Sequence, residues 1–485
     1  MFLLSAEEMR RIDALAISGG IPSEVLMENA ATATVCEILK QNTEKVIIFA
    51  GKGQNAGDGF AIARRLFVKK INVEVVTLFE EGNLSGAALT NFSVLKSLGV
   101  PVKPFRKDER YYCTVAVDCI LGTGAKGVVS EKIADAISTI NSLDSYVISA
   151  DIPSGIAADT GEVLGCAVKA DKTVTYGFLK AGLYSPLSTD FVGEIVLDDV
   201  SIPENSATLK NVSTFLTTEK DVYFPRTFPS SHKGDNGKIL IAGGSEGLCG
   251  AMFMAADAAV KTGGGLITCA TEKELLPIFM SRLYSAMCID IEKVDFSAYD
   301  TVLIGNGFSQ SDKKYEIVKK AILNTRGNLI IDADALNMLS KNTSLLKEKN
   351  CHVFITPHIV EFSRLSGLSK DEVLKNRVAL AKEFAAEYGV EVILKSASTV
   401  VASPDGFAYI NSRGNEGMAK GGSGDVLSGM LAGAVYKYKN PSDAARSICF
   451  IHSLAGDLAA EKYGKVSMSP ADIINYIPSA IKFLK

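Results

Sequence analysis

Apolar residues in the first two hundred positions form short runs, separated by segments with helical spacing. A run of four to eight apolar residues is typical of a buried strand, whereas apolar residues at every third or fourth position indicate an amphipathic helix. Segments 60–70 and 86–98 have the helical spacing. The predicted strands are KVIIFA (45–50), VEVVTLF (73–79), TVAVDCI (114–120), SYVISAD (145–151), TVTYGF (173–178) and EIVLD (194–198). This alternation predicts a parallel sheet covered by helices on both faces.

The same alternation returns in the second half of the chain. The predicted strands there are KILIAGG (238–244), LITCAT (266–271), TVLIGNG (301–307), NLIIDADAL (328–336) and HVFITPH (352–358). Residues 390–411 are expected to form two strands and a hairpin, because the Pro-Asp-Gly at its tip suits a tight turn. Helices are predicted over 426–438 and 442–463, with Ser442 as the N-cap of the second.

The two halves are joined by a stretch without periodicity. From about residue 200 the chain is rich in Ser and Thr and contains prolines, as interdomain crossings often are. A chain of 485 residues also exceeds the size at which a single core stops growing. We therefore predict two domains, 1–210 and 211–485.

Composition and net charge limit the classes of protein to which this chain can belong. Apolar residues make up 47% of the chain and charged residues 22%. These proportions are those of an ordinary globular protein. The net charge of −4 does not favour nucleic acid or an anionic membrane surface. No apolar run reaches the roughly 18 residues of a membrane span. We expect neither nucleic acid nor a membrane as a partner.

The amino terminus and the cysteines favour a cytoplasmic protein. Ser5 and Glu8 are spaced as a capping box that opens a helix, which argues against a signal peptide. The nine cysteines include no Cys-x-x-Cys pair and no metal-like spacing, so scattered reduced thiols are expected. Four histidines, spread from His232 to His452, argue against a His-rich metal centre.

A glycine-rich loop, GKGQNAGDGF (51–60), follows the predicted strand at 45–50. Its backbone N–H groups and the helix start behind them could hold a dinucleotide pyrophosphate. A tight strand-to-helix turn without a ligand fits the pattern equally well. Asp58 would repel a bare phosphate, so its presence points to a ribose hydroxyl or a cation in the same loop.

Polar residues follow three neighbouring strand ends. They are Asn55, Asp118, Asp151 and Ser154. Because the carboxyl ends of parallel strands share one edge, where ligands bind, we expect these side chains to converge. Each alone would suit a cap or a turn equally well. Oxygen ligands without His or Cys suit an alkali or alkaline-earth cation rather than zinc.

A second glycine-rich loop, KGGSGDVLSGML (420–431), precedes a predicted helix. Its backbone could stabilise a phosphoryl group or an oxyanion. Asp425 is then either an acidic residue of the first helical turn or a base acting on a hydroxyl next to the transferred phosphate. Lys395 at a strand end, and His358 with Glu361 at another, add to the indication of nucleotide chemistry, although a lone His is more often a solvated loop residue.

As an ordered set, these motifs resemble the family of bifunctional NAD(P)H-hydrate repair enzymes, in which an epimerase domain precedes an ADP-dependent hydrate dehydratase domain. The likeness covers nearly the whole chain. The epimerase half is represented by IPSEVLMENAA (21–31), GKGQNAGDGF, DCILGTGAKG (118–127) and DIPSGI (151–156). The dehydratase half is represented by SHKGDNGKILIAGG (231–244), GAMFMAADAAVKTGGGL (250–266), IDADALN (331–337), TPHIVEF (356–362), LKSAST (394–399) and GMAKGGSGDVLSG (417–429).

The resemblance implies a Rossmann-like three-layer αβα first domain and a ribokinase-like α/β second domain. It also implies the substrates NADHX and NADPHX, the nicotinamide nucleotides damaged by hydration of the ring. The first domain would interconvert their R and S forms. The second would use ADP to dehydrate the S form, giving AMP and phosphate. We also expect a homo-oligomer, and leave open whether magnesium accompanies ADP.

In the epimerase half, the resemblance implies two hydrate-binding segments and a potassium site. The segments are Gln54, Asn55, Ala56, Gly57 and Asp58, and then Gly122, Thr123, Gly124, Ala125, Lys126, Gly127 and Val128. Asp151 would bind the hydrate and is the candidate for the proton-handling group. Asn55, Asp118 and Ser154 would ligate the potassium ion.

In the dehydratase half, the resemblance implies that Ala251, Gly307 and His358 contact the hydrate. The expected ADP-binding residues are Lys395, Ser396, Ala397, Ser398 and Thr399, and Asn415, Lys420, Gly421, Gly422, Ser423 and Gly424. Asp425 would take the proton from the ring hydroxyl, so that its oxygen can attack the β-phosphate. Loss of the phosphate ester would then restore the ring.

Three segments depart from the family pattern. The chain has Lys52 and Gln54-Asn55-Ala56-Gly57 where the family has Pro and Asn-Asn-Gly-Gly, and Ala56 restricts φ where Gly would not. It has TPHIVE in place of TPHPGE, and Gly305-Asn306-Gly307 in place of Gly-Pro-Gly.

Two other functions fit parts of the pattern. A ribokinase-like fold with glycines before Asp425 would equally serve a kinase that phosphorylates a vitamin or a sugar alcohol. A regulatory protein that binds nicotinamide nucleotides through an inactive epimerase half is a second alternative. The set Asp58, Asp118 and Asp151 favours an active epimerase over that alternative.

Overall fold

The computed structural model describes residues 1–79, 81–204 and 209–484, which form two compact units. The first unit comprises Phe2–Thr214, and the second comprises Phe215–Lys485 with Met1. In the part of the chain that is described, no helix combines the length and the apolar character needed to cross a membrane.

A seven-stranded sheet, parallel throughout, forms the centre of the first unit. Along the sheet its strands are β4 (Val102–Pro104), β3 (Asn72–Thr77), β2 (Lys45–Ala50), β5 (Val115–Cys119), β6 (Tyr146–Ala150), β7 (Lys172–Tyr176) and β9 (Glu194–Asp198). A separate parallel pair joins β1 (Leu3–Leu4) to β8 (Leu179–Lys180). The strand order reverses between β2 and β5, which is where ligands bind in open α/β sheets.

Helices cover both faces of this sheet. They are α1 (Ala6–Ser18), α2 (Ser23–Ile38), α3 (Gln54–Val68), α4 (Gly86–Ser97), α5 (Glu131–Ser142) and α6 (Thr189–Val192). Successive residues of β2 point to opposite faces, so Ile48 joins a core with Phe60 of α3, whereas Phe49 joins a core with Ile140 of α5. The predicted Rossmann-like three-layer architecture is confirmed.

A ten-stranded sheet forms the centre of the second unit. Its order is β10 (Thr214–Leu216), β19 (Ala408–Asn411), β18 (Thr399–Ala402), β17 (Glu391–Leu394), β16 (His352–Ile355), β15 (Asn328–Ile331), β14 (Thr301–Ile304), β11 (Lys238–Ala242), β12 (Leu266–Thr271) and β13 (Met287–Asp290). The strands from β13 to β17 pair in parallel, and β18 and β19 pair antiparallel. The predicted ribokinase-like α/β fold is confirmed.

Nine α-helices are present among the described residues of the second unit. They are α7 (Cys249–Lys261), α8 (Leu276–Arg282), α9 (Asp312–Asn324), α10 (Ala333–Leu339), α11 (Ile359–Ser366), α12 (Lys370–Tyr388), α13 (Ser423–Ala434), α14 (Pro441–Tyr463) and α15 (Pro470–Phe483). Helix α13 lies against α7 at two glycines, because a Cβ at Gly429 would come within 2.2 Å of the Ala255 carbonyl and one at Gly433 within 2.5 Å of the Ala259 carbonyl. This close packing positions the start of α13, and with it Asp425.

Two local predictions were wrong, and one was confirmed. The segment NLIIDADAL is not one strand, because β15 ends at Ile331 and Asp332 caps helix α10. Asn440, not Ser442, is the N-cap of α14, and Ser442 instead donates a hydrogen bond to the buried carboxylate of Glu391 (2.9 Å). The capping box of Ser5 and Glu8 is present at the start of α1.

Candidate active sites

A cavity of about 1050 Å³ opens at the carboxyl edge of the seven-stranded sheet, where the strand order reverses. It exceeds the range of about 300–1000 Å³ that is usual for small-molecule sites, and so has room for a dinucleotide. Helices α1 and α2 supply its apolar wall through Met9, Met27 and Ala30. The exposed basic side chains of Arg10 and Lys52 border it.

Most of the predicted hydrate-binding residues line this cavity. Those that do are Gln54, Asn55, Asp58, Gly122, Thr123, Gly124, Ala125 and Asp151. The others lie elsewhere: Ala56 is fully buried in α3, and Lys126, Gly127 and Val128 are exposed outside the cavity wall. Gly57 has a packing role, because a Cβ there would come within 2.9 Å of the Ala88 Cα.

The three predicted potassium ligands lie in one buried network. Ser154 donates to the Asp118 carboxylate from its Oγ (2.5 Å) and its backbone N–H (2.8 Å), and burial raises the pKa of Asp118. Asn55 Nδ2 donates to the Leu121 carbonyl (2.8 Å), and Leu121 N–H donates to Ser154 Oγ (2.8 Å). The Asn55 Oδ1 atom is buried without a hydrogen-bond partner among the described residues. This unpaired oxygen, in an all-oxygen donor set, fits an alkali cation.

Asp151 is held in place by a lysine that the sequence reasoning missed. Lys180 is 1% exposed, and its Nζ lies 2.6 Å from Asp151 Oδ1, 2.9 Å from Thr175 Oγ1 and 2.8 Å from the Tyr176 carbonyl. Asp151 itself has a φ of +66°. That value lies in the left-handed region, which non-glycine residues rarely adopt. No local pattern marks Lys180, which is a single lysine in the short apolar stretch GFLKAG.

Two further carboxyl groups line the same cavity. Burial raises the pKa of Asp58 well above its usual value, and the charges of Asp151 and Asp13 raise it further. Asp13, from helix α1, has its pKa raised to about 6 by burial, against the opposing effect of Lys180. The sequence reasoning missed Asp13, which lies outside every glycine-rich motif. The cavity thus combines acidic groups of unequal proton affinity.

In the second unit, Asp425 lies in the first turn of α13 within a polar network. Asn306 Nδ2 donates to Asp425 Oδ1 (2.7 Å) and lies 3.3 Å from Asp332 Oδ2. Lys395 Nζ donates to Asp332 Oδ1 (2.9 Å). Burial raises the pKa of Asp425 to about 6, while the Asn306 hydrogen bond lowers it. A carboxylate with a pKa in that range suits a general base at neutral pH.

The glycine loop before Asp425 lies beside the side chain of Lys395. Gly422 is the N-cap of α13 with a φ of +108°, and a Cβ at Gly424 would lie only 3.1 Å from Lys395 Nζ. The N–H groups of a helix start beside a lysine are a ready anion-binding arrangement. The structure therefore brings together the predicted residues Lys395, Gly424 and Asp425.

His358 and the glycine turn at 305–307 contribute to the same sheet edge. His358 is the N-cap of α11, and its Nδ1 accepts hydrogen bonds from the backbone N–H groups of Val360 and Glu361. Burial and the charge of Lys395 lower the pKa of His358. Gly307 packs on α7, because a Cβ there would lie 3.1 Å from the Ala251 Cβ. The predicted pair of Ala251 and Gly307 is therefore adjacent.

Several of the other predicted ADP-binding residues already use their polar side chains in hydrogen bonds within the protein. Lys420 Nζ is bonded to backbone carbonyls, including that of Val466 at 2.7 Å, and Asn415 Nδ2 donates to Asp457 (3.1 Å). Ser396 Oγ donates to the Ser398 carbonyl (2.9 Å). The sequence reasoning missed the roles of Asn306 and Asp332. Both lie inside motifs of the sequence, but only the fold shows that Asn306 contacts the carboxylates of both Asp332 and Asp425.

The fold and these sites define a two-domain α/β enzyme that acts on nucleotides. The family described as NAD(P)H-hydrate dehydratase matches residues 239–479, and the family described as YjeF-related protein N-terminus matches residues 23–182. The bifunctional NAD(P)H-hydrate repair enzyme Nnr of Moorella thermoacetica is 33% identical over 100% of this chain and 97% of the relative. Its counterpart in Escherichia coli is 32% identical over 93% of this chain and 88% of the relative.

A solved structure matches the second half. The ADP/ATP-dependent NAD(P)H-hydrate dehydratase of Bacillus subtilis, co-crystallised with ATP and Mg²⁺, has a TM-score of 0.51 and 27% identity. The match covers 56% of this chain and 99% of that one. The chain belongs to the family of bifunctional NAD(P)H-hydrate repair enzymes.

Proposed function

We propose that this chain repairs hydrated NADH and NADPH in two steps, with epimerisation of the R and S hydrates in the first unit and nucleotide-dependent dehydration of the S hydrate in the second. Membership of the family over the whole chain length supports both activities. The observation that carries the dehydration step is the Asp425 carboxylate, with its pKa of about 6, at the start of a helix whose glycine loop lies beside Lys395.

The dehydration proceeds by phosphorylation of the hydroxyl that hydration added to the ring. Asp425 takes the hydroxyl proton, the oxygen bonds to the β-phosphorus of ADP, and AMP leaves. The ring nitrogen then expels phosphate, and loss of a proton from the neighbouring carbon restores the ring double bond. With a pKa of about 6, Asp425 is mostly ionised at neutral pH and available as the base.

Lys395 and the backbone of the glycine loop would balance the charge of the phosphates. Asp332 accepts a hydrogen bond from the Lys395 ammonium group, so the lysine is already oriented before a nucleotide binds. ADP is the proposed phosphate donor, and magnesium would accompany it as it does ATP in the Bacillus subtilis structure. The segments 395–399 and 415–424 form the proposed nucleotide site.

In the first unit, the cavity would hold the hydrate. Arg10, Lys52 and Lys132 border the cavity and suit the phosphates of a dinucleotide. Asn55, Asp118 and Ser154 would hold a potassium ion, which would supply positive charge beside the substrate. The reaction of the cavity is epimerisation at the hydrated carbon. We also propose a cytoplasmic location and a homo-oligomeric assembly for the chain.

A single assay tests the two activities together. The purified protein is given mixed NADH hydrates with ADP, with ATP or with no nucleotide, and the return of the reduced-nicotinamide absorbance is followed. We expect complete recovery of both epimers with ADP and none without a nucleotide. Recovery of the S form alone would refute the epimerase. A stable phosphorylated product without recovered NADH would instead establish a kinase.

A further inference from the structure

Three carboxyl groups and one buried ammonium group lie in the wall of the epimerase cavity, whose other basic side chains are exposed. These four groups are Asp13, Asp58, Asp151 and Lys180. Within the described residues, Asp151 has an ion-pair partner in Lys180, whereas Asp13 and Asp58 have no hydrogen-bond or ion-pair partner. Both unpaired carboxyls therefore have their oxygens available to a molecule in the cavity.

The two unpaired carboxyls come from different elements of the wall. Asp13 lies on α1, which precedes the sheet in sequence, and Asp58 lies on α3, directly after the glycine loop. Among the described residues, Lys180 is the cation that acts on both groups, and it already pairs with Asp151. The other basic groups of the cavity, Arg10, Lys52 and Lys132, are exposed to solvent. Three ionised carboxylates beside the one buried ammonium would therefore leave an excess of negative charge in the buried part of the wall, which favours a proton on one of the carboxyls.

Epimerisation needs both a proton donor and a proton acceptor. Water adds to an enamine at the carbon bonded to nitrogen, so the added hydroxyl of the hydrate lies next to the ring nitrogen. A proton from an acid allows that hydroxyl to leave as water while the nitrogen lone pair forms a C=N bond. A base then takes a proton from a water molecule as its oxygen bonds to the same carbon from the opposite face, and the nitrogen recovers its lone pair.

We propose that Asp13 and Asp58 are the proton-transfer pair of the epimerase, with Asp151 and Lys180 as a fixed ion pair that positions the substrate. This inference rests on the proposed epimerase function. Asp58 donates the proton to the departing hydroxyl, and Asp13 accepts the proton from the entering water. The inversion leaves Asp58 ionised and Asp13 protonated, and the reverse reaction uses the two groups in exchanged roles. For successive inversions in one direction, Asp13 releases its proton to solvent and Asp58 takes one up before the next turnover.

The different environments of the two groups support this division of roles. Burial and the charges of Asp151 and Asp13 raise the pKa of Asp58 well above its usual value, whereas the pKa of Asp13 is raised to about 6, against the opposing charge of Lys180. Paired groups whose pKa values are pushed apart are typical of acid and base partners. The other charged groups that line the cavity with Asp13 are Arg10, Lys52, Asp58, Lys132, Asp151 and Lys180.

The test compares Asp13→Asn with Glu7→Gln, which removes a charge from an exposed position of the same helix. Interconversion of purified R-NADH hydrate is followed by chromatographic separation of the epimers without nucleotide. We expect Asp13→Asn to lower kcat at least about 100-fold with KM changed less than about threefold, because general acid–base catalysis contributes about 10²–10⁴-fold. Asp13→Glu should regain part of kcat, and Glu7→Gln should match the wild type.

Two further measurements separate a chemical role from a structural one. In ¹⁸O-labelled water, each inversion catalysed by the wild type should place one labelled oxygen on the ring, and Asp13→Asn should lose this incorporation in parallel with kcat. Dehydration of the S hydrate with ADP should be unchanged in every variant.

A kcat for Asp13→Asn within about threefold of the wild type would overturn the inference, as would inversion without label. If the wild type itself does not interconvert the epimers, the proposed epimerase function fails, which is a distinct outcome.

Discussion

Each unit of this chain places three carboxyl groups around one lysine, but the two sets differ in how many carboxyls are paired. The first set is Asp13, Asp58 and Asp151 with Lys180, and the second is Asp332, Glu361 and Asp425 with Lys395. In the second set, each carboxyl accepts a hydrogen bond: Asp332 from Lys395, Glu361 from the His358 N–H, and Asp425 from Asn306. In the first set, only Asp151 has such a partner among the described residues.

The difference matches the kind of proton transfer that each proposed reaction needs. Dehydration by way of a phosphate ester only removes protons from the substrate, and the carboxylate that takes the first of them, Asp425, lies beside the glycine loop. Epimerisation needs an acid and a base together, and two carboxyls are left unpaired. Three carboxyl groups and one lysine can therefore support either proposed reaction. Which reaction they support depends on which carboxyls already accept a hydrogen bond from a neighbouring group.

Replacing Asp425 should have the largest effect. Asp425→Asn removes the base but keeps the size and the Asn306 contact, so dehydration of the S hydrate should fall about 10²–10⁴-fold while epimerisation stays unchanged. The control is Asp312→Asn, which removes an exposed first-turn acid from helix α9. Equal losses in both variants would mean that Asp425 serves only the helix dipole.

Removing Lys180 should have the next largest effect, which is measured on the stability of the folded protein. Lys180→Met leaves the Asp151 carboxylate without its partner, and breaking a buried ion pair costs about 3–5 kcal/mol of unfolding free energy. Lys395→Met should cost less, because Asp332 keeps the Ala333 N–H donor. Urea unfolding of both variants measures the difference.

Lys40 provides the control for that comparison, because its partner Glu37 is buried but keeps a second cation, Lys172, when Lys40 is replaced. The Lys40 side chain is 64% exposed. Lys40→Met should therefore change the unfolding free energy by less than about 1 kcal/mol. Adding Asp151→Asn to Lys180→Met should restore part of the loss, since no unpaired charge then remains. A Lys180→Met protein as stable as the wild type would mean that the pair in the first unit contributes no more than a surface contact.

The smallest expected effect is a displacement of a pH profile. Asp425 must be ionised to act as a base, so kcat for dehydration should fall as the pH drops through about 6. The Asn306 hydrogen bond stabilises the ionised form and lowers the pKa. Asn306→Ala should therefore move the acid limb upward by about one pH unit, because a hydrogen bond to a charged group contributes about 1.5–3 kcal/mol.

The profile of S-hydrate dehydration between about pH 5 and 8 provides that measurement. Ser428→Ala is the control, because Ser428 also contacts Asn306 Nδ2 (3.0 Å) but is not bonded to the Asp425 side chain. An acid limb that stays in place, or moves to lower pH, in Asn306→Ala would assign the ionisation to another group.

The fold class and the family could be predicted because their signals are local. Continuous apolar runs such as 45–50 and 266–271 became strands with the predicted ends, since a strand buried on both faces needs an uninterrupted run. Boundaries were less predictable where a polar residue ended a strand. Asp332 looked like part of a strand, but its carboxylate accepts the Ala333 N–H and starts a helix instead.

The site residues also differ in whether a local sequence signal marks them. Asp58, Asp151, Lys395 and Asp425 are marked by adjacent glycines or by strand ends, and the structure brings them to cavity or loop positions. Asp13 and Lys180 lie outside every motif and reach the cavity only through tertiary packing, so no spacing along the chain identifies them. Asn306 lies within a motif, but only the fold brings it to Asp425, which is 119 positions away in the chain. The same holds for Ser442, whose hydroxyl is engaged by Glu391, a residue that is 51 positions away in the chain.

The backbone of Asp151 has a consequence for how this protein responds to selection. Its φ is +66°. A left-handed conformation of this kind costs most L-residues about 1–2 kcal/mol, whereas glycine adopts it without that cost. Replacing Asp151 by Gly would relieve that strain but leave the Lys180 ammonium buried without its carboxylate, at a cost of about 3–5 kcal/mol. A screen of random variants for heat tolerance alone should therefore keep the strained carboxylate, and Gly at position 151 should become favourable only in chains that have also lost Lys180.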